Sequence, residues 1–131
     1  METLKFDEGY REYDVNGDKS RIIRFRVDPN LKERIEKAMA DIDKLREKYG
    51  KMSGSDLYKA GVEFREIINA AFDSDICTPA FGNASPFALL KNGKALYEAF
   101  LEALLPALEK EFKAVQSEIR PEVQKYLGED S

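Results

Sequence analysis

The first 27 residues alternate apolar and polar side chains in the manner of β-strands. The apolar positions recur at every second residue, and they are Tyr13, Val15, Ile23, Phe25 and Val27. Between the two runs lies Asn16-Gly17, a dipeptide that readily adopts the positive φ angles of a two-residue hairpin turn. The pattern predicts a β-hairpin over residues 10–27, with one face toward a core and one toward water. Leu4 and Phe6 suggest a few further strand residues before Gly9.

From residue 28 the apolar period changes to that of a helix. Asp28 followed by Pro29 is typical of an N-cap and a first helical position, where proline loses no hydrogen bond. We expect this helix to run to Tyr49 and to stop at Gly50. Its apolar residues are spaced by three or four, which predicts one narrow buried face: Leu31, Ile35, Ala38, Ile42, Leu45 and Tyr49.

A second helix is expected after the turn and N-cap at residues 53–56, ending near Phe72. Its buried face should contain Leu57, Gly61, Phe64, Ile68 and Ala71. The short connection between the two helices favours an antiparallel αα-hairpin. Glycine costs about 1 kcal/mol relative to alanine in an exposed helix, so Gly61 suggests a close helix crossing.

The C-terminal half predicts two more helices. Ser85-Pro86 repeats the N-cap and proline pattern and predicts a short helix ending near residue 93. A broad apolar face then predicts a long helix over residues 94–119, which Pro106 should kink near residues 102–105. Pro121 is expected to start a last turn through Tyr126.

These elements predict a mainly α (α+β) fold in one domain over residues 1–131. The N-terminal β-hairpin occupies residues 1–27. An αα-hairpin and a long kinked C-terminal helix follow within residues 28–127, and residues 128–131 are expected to form a frayed polar tail. A chain of this length can bury a core without disulfides or metals.

The segment between the second and third predicted helices is the least generic part of the sequence. It contains Ile76-Cys77-Thr78-Pro79-Ala80-Phe81-Gly82, which follows the hairpin, the Asp28-Pro29-Asn30 helix start and the charged helical pair. In this order the motifs resemble a small family of tail assembly chaperones from tail gene modules of phages and prophages of low-GC Gram-positive bacteria. The resemblance covers nearly the whole chain.

The resemblance implies a non-catalytic protein in the host cytoplasm that binds the tape measure protein before the tail tube polymerises. The tail tube protein is a second partner that the resemblance suggests, and self-association into a homo-oligomer is left open. Two alternatives are a structural tail component retained in the virion and a small regulatory or nucleic-acid-binding domain.

Composition bears on these alternatives. The chain has 131 residues, 43% of them hydrophobic and 35% charged, with a formal net charge of −4. A negative net charge argues against extensive binding to nucleic-acid phosphates. No window approaches the run of about 20 apolar residues that a membrane span needs, and the first residues are too charged for a signal peptide. A lone Cys77 is typical of a reducing compartment.

The sequence offers little for catalysis. It contains no histidine, which removes the most common general base and metal ligand. The pairs Asp73 with Asp75 and Glu109 with Glu111 are paired carboxylates, but such pairs are usually solvated helix ends. Cys77 is expected to be a buried apolar residue instead of a nucleophile. We therefore predict no enzyme, no catalytic residue, no cofactor and no metal.

Two features of the hairpin have a functional and a structural interpretation. The run from Asp14 to Asp18 alternates oxygen ligands, but it departs from an EF-hand because Phe25 occupies the twelfth position. Lys19, Arg21, Arg24 and Arg26 could form a nucleic-acid ribbon. Charges guarding the outer face of a small sheet are the favoured interpretation.

Phe81, Phe87 and Leu90 are the predicted partner-binding residues. They lie beside turns, and residues 72–108 hold more large apolar side chains than one helix stripe needs. The alternative is that all three belong to the core.

Overall fold

The computed structural model describes residues 1–49 and 54–118, and the side chains of residues up to 115. Its two strands and four helices are β1 Tyr10–Val15, β2 Asp18–Arg26, α1 Leu31–Lys48, α2 Gly54–Phe72, α3 Cys77–Phe81 and α4 Leu96–Glu118. Helices account for more than half of the described residues, and the strands precede all of them. The predicted mainly α fold with an N-terminal β-hairpin is confirmed.

The hairpin turns at the predicted dipeptide. Asn16 has a φ of 55° and Gly17 a φ of 79°, which is the conformation that this pair favours. β1 and β2 are antiparallel and place Tyr13 opposite Ile23. Ile23 and Phe25 are 4% and 1% exposed, so this face of the hairpin is the core face.

The first helix buries the face that the sequence predicts, with Leu31, Ile35, Ala38, Ile42 and Leu45 all inside. It begins at Leu31 with Asn30 as N-cap, later than the predicted start at Pro29. The Asp28 carboxylate accepts the Asn30 N–H at 2.8 Å and two hydrogen bonds from Arg34 at 3.0 and 2.7 Å. Asp28 therefore closes a turn ahead of the helix instead of capping its first residues.

The second helix begins at Gly54 and ends at Phe72, so its start precedes the predicted N-cap at Asp56. It packs against α1. Its buried residues are Ala60, Gly61, Phe64, Ile68, Ala71 and Phe72. The predicted stop at Gly50 and the start of the turn at Ser53 lie outside the described residues.

The Cys77 segment is a short helix, not the turn that the sequence predicts. Its first N–H groups are bound by side chains: Asn69 Oδ1 accepts from Ile76 and Cys77 at 2.8 and 3.1 Å. Asp75 Oδ1 accepts from the Thr78 N–H at 3.1 Å. Two side chains thus satisfy donors that a helix start otherwise leaves open.

The predicted helix from Ser85 to residue 93 is absent, since this described segment forms turns and a bridge between Leu89 and Ala95. Two of its main-chain carbonyls instead accept hydrogen bonds from the first residues of α4. Leu96 and Tyr97 donate their N–H groups to the carbonyls of residues 88 and 86, each at 2.8 Å. The segment therefore caps α4 and loses the main-chain bonds of a helix of its own.

The chain divides into two compact units, residues 1–100 and residues 101–131. In the described part of the second unit, α4 contains Pro106 as predicted. Leu104 and Leu108 are buried there, whereas Leu105 is 37% exposed. The kink near residues 102–105 and the single domain over 1–131 stay predictions. The last turn at Pro121 and the frayed tail lie outside the described residues.

Within the described ranges, the helices are all too short or too polar to cross a bilayer.

Candidate functional site

A groove runs between α2 and the segment that follows α3. Its volume is about 130 Å³, and its walls come from one face of α2 and from residues 83–86. The lining residues are Leu57, Tyr58, Gly61, Val62, Arg65, Asn83, Ala84, Ser85 and Pro86. We refer to these residues as the α2 groove. Their side chains are largely apolar, with one arginine at the rim.

Gly61 forms the floor of the α2 groove. A Cβ atom placed on Gly61 would lie 3.4 Å from Cδ of Pro86 and 3.8 Å from Oγ of Ser85. The predicted close helix crossing at Gly61 is therefore wrong: the neighbour is the 85–86 segment instead of a helix, and a Cβ would make ordinary van der Waals contact with it. Pro86 is fully buried by this contact region.

Arg65 holds the far wall of the α2 groove in place. Its Nη2 donates to the main-chain carbonyls of Gly82 and Ala84, both at 2.8 Å. Its guanidinium carbon also lies 5.9 Å from the ring centroid of Phe81. Because Arg65 binds the main chain on both sides of residue 83, these hydrogen bonds hold the wall in position relative to α2.

Two large side chains of the α2 groove are exposed. Tyr58 is 75% exposed and Val62 is 40% exposed, one helical turn apart on α2. Neither residue was predicted as a partner-binding residue, because the predicted buried stripe that begins at Leu57 includes neither of them. The sequence signal for them is their spacing: Tyr58 and Val62 are an apolar pair at positions i and i+4, each one residue after a member of that stripe.

Phe81, which the sequence predicts as a partner-binding residue, lies in an aromatic cluster of the core. It is 6% exposed, with ring centroids 5.9 Å from Phe64 and 5.2 Å from Phe100. Phe87 is half-buried and reaches the same cluster, 6.1 Å from Phe64 and 5.3 Å from Tyr97. Phe81 is thus a packing residue of this structure, and its contact with a partner stays a prediction.

Leu90, the third predicted residue, is half-buried in the turn that precedes α4. Its N–H donates to the Lys94 carbonyl at 2.8 Å, and its own carbonyl accepts from Gly93. The structure does not place Leu90 in the α2 groove. Nearby in sequence, Leu89 is 78% exposed. The partner-binding role of Phe87 and Leu90 also stays a prediction.

A larger hollow of about 220 Å³ lies between α1 and α2. Its lining residues are Arg34, Lys37, Ala38, Asp41, Ile67, Ala70 and Ala71. Arg34 is fully engaged there: it holds both oxygens of Asp28 and donates to the Ala71 carbonyl at 2.8 Å. Hydrogen bonding to Arg34 lowers the pKa of Asp28. The arginine that lines this hollow is thus used in a structural ion pair, so we favour the α2 groove as the candidate site.

Cys77 is buried as the sequence predicts. Burial raises the pKa of its thiol to about 12, despite the opposing effect of Arg65. A thiol with this pKa stays protonated at neutral pH, and the thiolate is the reactive form. Its environment is therefore that of an inert core residue.

Two of the four candidate carboxylates, Asp75 and Glu109, make structural contacts. Asp75 caps α3, and its hydrogen bonds with Thr78 lower its pKa. Asp73 follows α2 with a φ of 51°. On α4, Glu109 pairs with Lys113 at 3.2 Å, as is common at a spacing of four residues. Glu111 lies two residues away on the same helix.

The oxygens of the Asp14–Asp18 run are used by the hairpin itself. Asp14 accepts from the Gly17 N–H at 2.9 Å and pairs with Lys19 at 2.6 Å. Asp18 accepts from Ser20. Nowhere in residues 1–49 and 54–118 do three or more acidic or cysteine side chains group in a way that could hold a metal ion.

The basic residues of β2 contact other parts of the protein. Arg21 donates to the carbonyls of residues 79 and 80 at 2.9 and 2.8 Å. Arg24 and Arg26 lie over the ring of Tyr10, at 3.6 and 4.4 Å from its centroid. Since these side chains are held by α3 and by the hairpin, the structural interpretation explains them without a nucleic acid.

Comparison of the chain with protein-family models, with curated proteins and with solved structures finds no match.

Proposed function

We propose that this chain is a non-catalytic, protein-binding domain that acts as a tail assembly chaperone in the host cytoplasm. Its client is the tape measure protein, which it keeps in solution until tail tube subunits polymerise around it. The observation that carries the binding role is the exposure of Tyr58 and Val62 along the α2 groove. The specific role rests on the resemblance of the Ile76–Gly82 motif and its flanking elements to tail assembly chaperones.

The α2 groove suits an apolar helix of a client. Exposed aromatic and branched side chains one turn apart form the type of surface that accepts the apolar stripe of an amphipathic helix. Arg65 fixes the opposite wall, so little ordering is needed when a client binds, which favours affinity. The net charge of −4 helps a complex with an apolar client to stay in solution.

Co-expression tests the proposal. The tape measure protein expressed alone should aggregate, because its helices expose apolar seams. Co-expression with this chain should move it to the soluble fraction, and the complex should survive salt that screens purely ionic contacts. If the tape measure protein stays equally insoluble with this chain present, the chaperone role is wrong.

A groove variant identifies the surface. Tyr58→Ala combined with Val62→Ala should abolish the solubilising effect while leaving the thermal melting temperature nearly unchanged. Leu105→Ala is the matched control, since it removes an apolar side chain of similar exposure to Val62 outside the groove. Equal loss of client solubility with both variants would show that binding does not depend on the α2 groove.

A structural tail component retained in the virion is one of the two alternatives, beside a small regulatory or nucleic-acid-binding domain. It predicts this chain in stoichiometric amounts in purified mature tails, whereas a chaperone should be absent from them.

A further inference from the structure

The α2 groove is smaller than a typical small-molecule site. Its volume of about 130 Å³ lies below the roughly 300–1,000 Å³ of most such sites. Leu57, Gly61 and Arg65 follow one another at spacings of four along α2. The groove therefore extends over about 12 Å, or roughly two helical turns. A surface of this length and depth suits a few side chains from one face of a partner helix.

Arg65 lies at one end of this row and uses only part of its hydrogen-bonding capacity. Its Nη2 supplies both hydrogens to the carbonyls of Gly82 and Ala84. A guanidinium has three more N–H groups, one on Nε and two on Nη1. Among the described residues, none accepts a hydrogen bond from these three groups and none forms an ion pair with Arg65. Arg65 thus brings an unneutralised positive charge to the apolar groove.

Asp75 does not neutralise this charge. It is close enough for Arg65 to contribute to its lowered pKa, which is caused chiefly by hydrogen bonding to Thr78. The Asp75 carboxylate, however, accepts from the Thr78 N–H at 3.1 Å and from the Asn69 side chain at 3.3 Å. These bonds hold Asp75 at the start of α3 and leave Arg65 to a partner.

A helix that covers the α2 groove takes Arg65 partly out of water. Loss of hydration around a charge costs free energy unless the charge is paired. A carboxylate on the covering helix restores the lost N–H partners, and charge-assisted hydrogen bonds are stronger than neutral ones. The guanidinium is already held by the Gly82 and Ala84 carbonyls, so the pair forms with little loss of side-chain entropy.

The position of this carboxylate follows from the spacing along α2. Tyr58 and Val62 are four residues apart, and Arg65 follows Val62 by three residues, about one further turn. A partner helix along α2 places two apolar side chains, one turn apart, against Tyr58 and Val62. Its acidic side chain then lies one turn beyond that pair, opposite Arg65. The acidic residue follows the apolar pair in a parallel helix and precedes it in an antiparallel one.

We infer that the α2 groove selects partner helices that carry an acidic residue one turn from an apolar pair, the carboxylate accepting hydrogen bonds from Nε or Nη1 of Arg65. The inference rests on the helix-binding role proposed above and adds the chemistry of the client helix. Arg65 is then the residue of the groove that determines specificity.

Fluorescence anisotropy with designed peptides tests this selection on the full chain. The probe is a labelled, alanine-rich helical peptide with two leucines four positions apart. A glutamate lies three positions before the pair and another three positions after it, so the peptide fits α2 in either direction. Two comparison peptides have glutamine or lysine in place of both glutamates.

The three peptides should rank by charge. In about 150 mM salt, wild type should bind the glutamate peptide roughly 10-fold more tightly than the glutamine peptide, and the lysine peptide most weakly. The net charge of −4 by itself favours the lysine peptide. The expected order therefore reports the local charge of Arg65 and not the charge of the whole chain.

A double-mutant cycle separates recognition from the structural role of Arg65. Arg65→Gln loosens the wall, but a loosened wall weakens the glutamate and glutamine peptides alike. The preference for glutamate should vanish in Arg65→Gln. Lys59→Gln, at an exposed position of α2 outside the groove, removes the same charge and should keep the preference. The peptide ranking with wild type decides even where Arg65→Gln does not fold.

Three results overturn the inference: no binding of the glutamate peptide to wild type, equal binding of the glutamate and glutamine peptides, or a preference that persists in folded Arg65→Gln. Failure of the chaperone role looks different. In that case the tape measure protein stays insoluble on co-expression although the glutamate peptide binds the groove with the expected preference.

Discussion

Phe81→Ala is the variant that most directly tests the described core. The ring is 6% exposed and meets Phe64 and Phe100 edge-on, at interplanar angles of 64° and 74°. Truncation of a buried phenylalanine to alanine costs about 3–5 kcal/mol, which includes the cavity that remains. The two edge contacts add to area burial and place Phe81 in the upper half of that range. We therefore expect a loss of about 4 kcal/mol.

Thermal and urea unfolding measure this loss. For a domain of this size a change of 1 kcal/mol shifts the melting temperature by about 4 °C, so Phe81→Ala should melt about 15 °C below wild type. Phe81→Leu keeps most of the volume and should lose about 1–2 kcal/mol. Tyr58→Ala, truncating an aromatic side chain that is 75% exposed, should change stability by less than about 0.5 kcal/mol.

The result separates two roles for Phe81. A loss below about 1 kcal/mol would show that the ring does not fill the core as described, and it would favour a partner surface. The expected large loss would instead limit any direct partner contact in this region to the half-buried Phe87 and Leu90.

Three further predictions concern other parts of residues 1–100. Asp28→Asn should cost about 1 kcal/mol near neutral pH, since exposure screens the pair with Arg34. The folded-state pKa of Asp28 is lowered, chiefly by hydrogen bonding to Arg34. The stability from this pair is therefore present above the ordinary pKa of 3.8 and is lost as pH falls through the folded value. Urea unfolding at pH 7 and pH 3 should show a smaller change in stability with pH for the variant than for wild type. Gly61→Ala should be neutral or stabilising by up to about 1 kcal/mol, because its Cβ would make an ordinary contact and alanine favours the helix. A destabilised Gly61→Ala would show that the 85–86 segment lies closer to Gly61 than described, and an unaffected Gly61→Val would show that it lies farther away. The Cys77 thiol, with its pKa near 12, should react with an aromatic disulfide reagent at pH 8 only after unfolding; rapid reaction in the native protein would refute its burial.

The sequence predicted the elements whose structure depends on residues that are close together in the chain. Asn16-Gly17 determines the hairpin turn through its own φ preferences, and the spacing of Leu31 through Leu45 determines the buried face of α1. Both follow from residues adjacent in sequence or one helical turn apart. The sequence therefore predicted them without knowledge of the tertiary contacts.

The elements that the sequence did not predict depend on distant residues. The N–H groups at the start of α3 are bound by the side chain of Asn69, which lies seven residues before Ile76 in the preceding helix, α2. Ser85-Pro86 has the local pattern of a helix start, but the carbonyls of this segment are used to cap α4. The α2 groove has the same origin, because its second wall is positioned by Arg65 through contacts that no local pattern encodes.

Two arginines of this protein hold one loop segment by binding its main-chain carbonyls, which has a consequence for how the surface of that segment can evolve. Arg21 and Arg65 hold residues 79–84 through oxygen atoms that every amino acid supplies. Side chains at the exposed positions of that segment can therefore change from one descendant to another while the backbone keeps its course. Relatives that bind different partners can therefore differ in the exposed side chains of this segment, provided that Arg21 and Arg65 are retained.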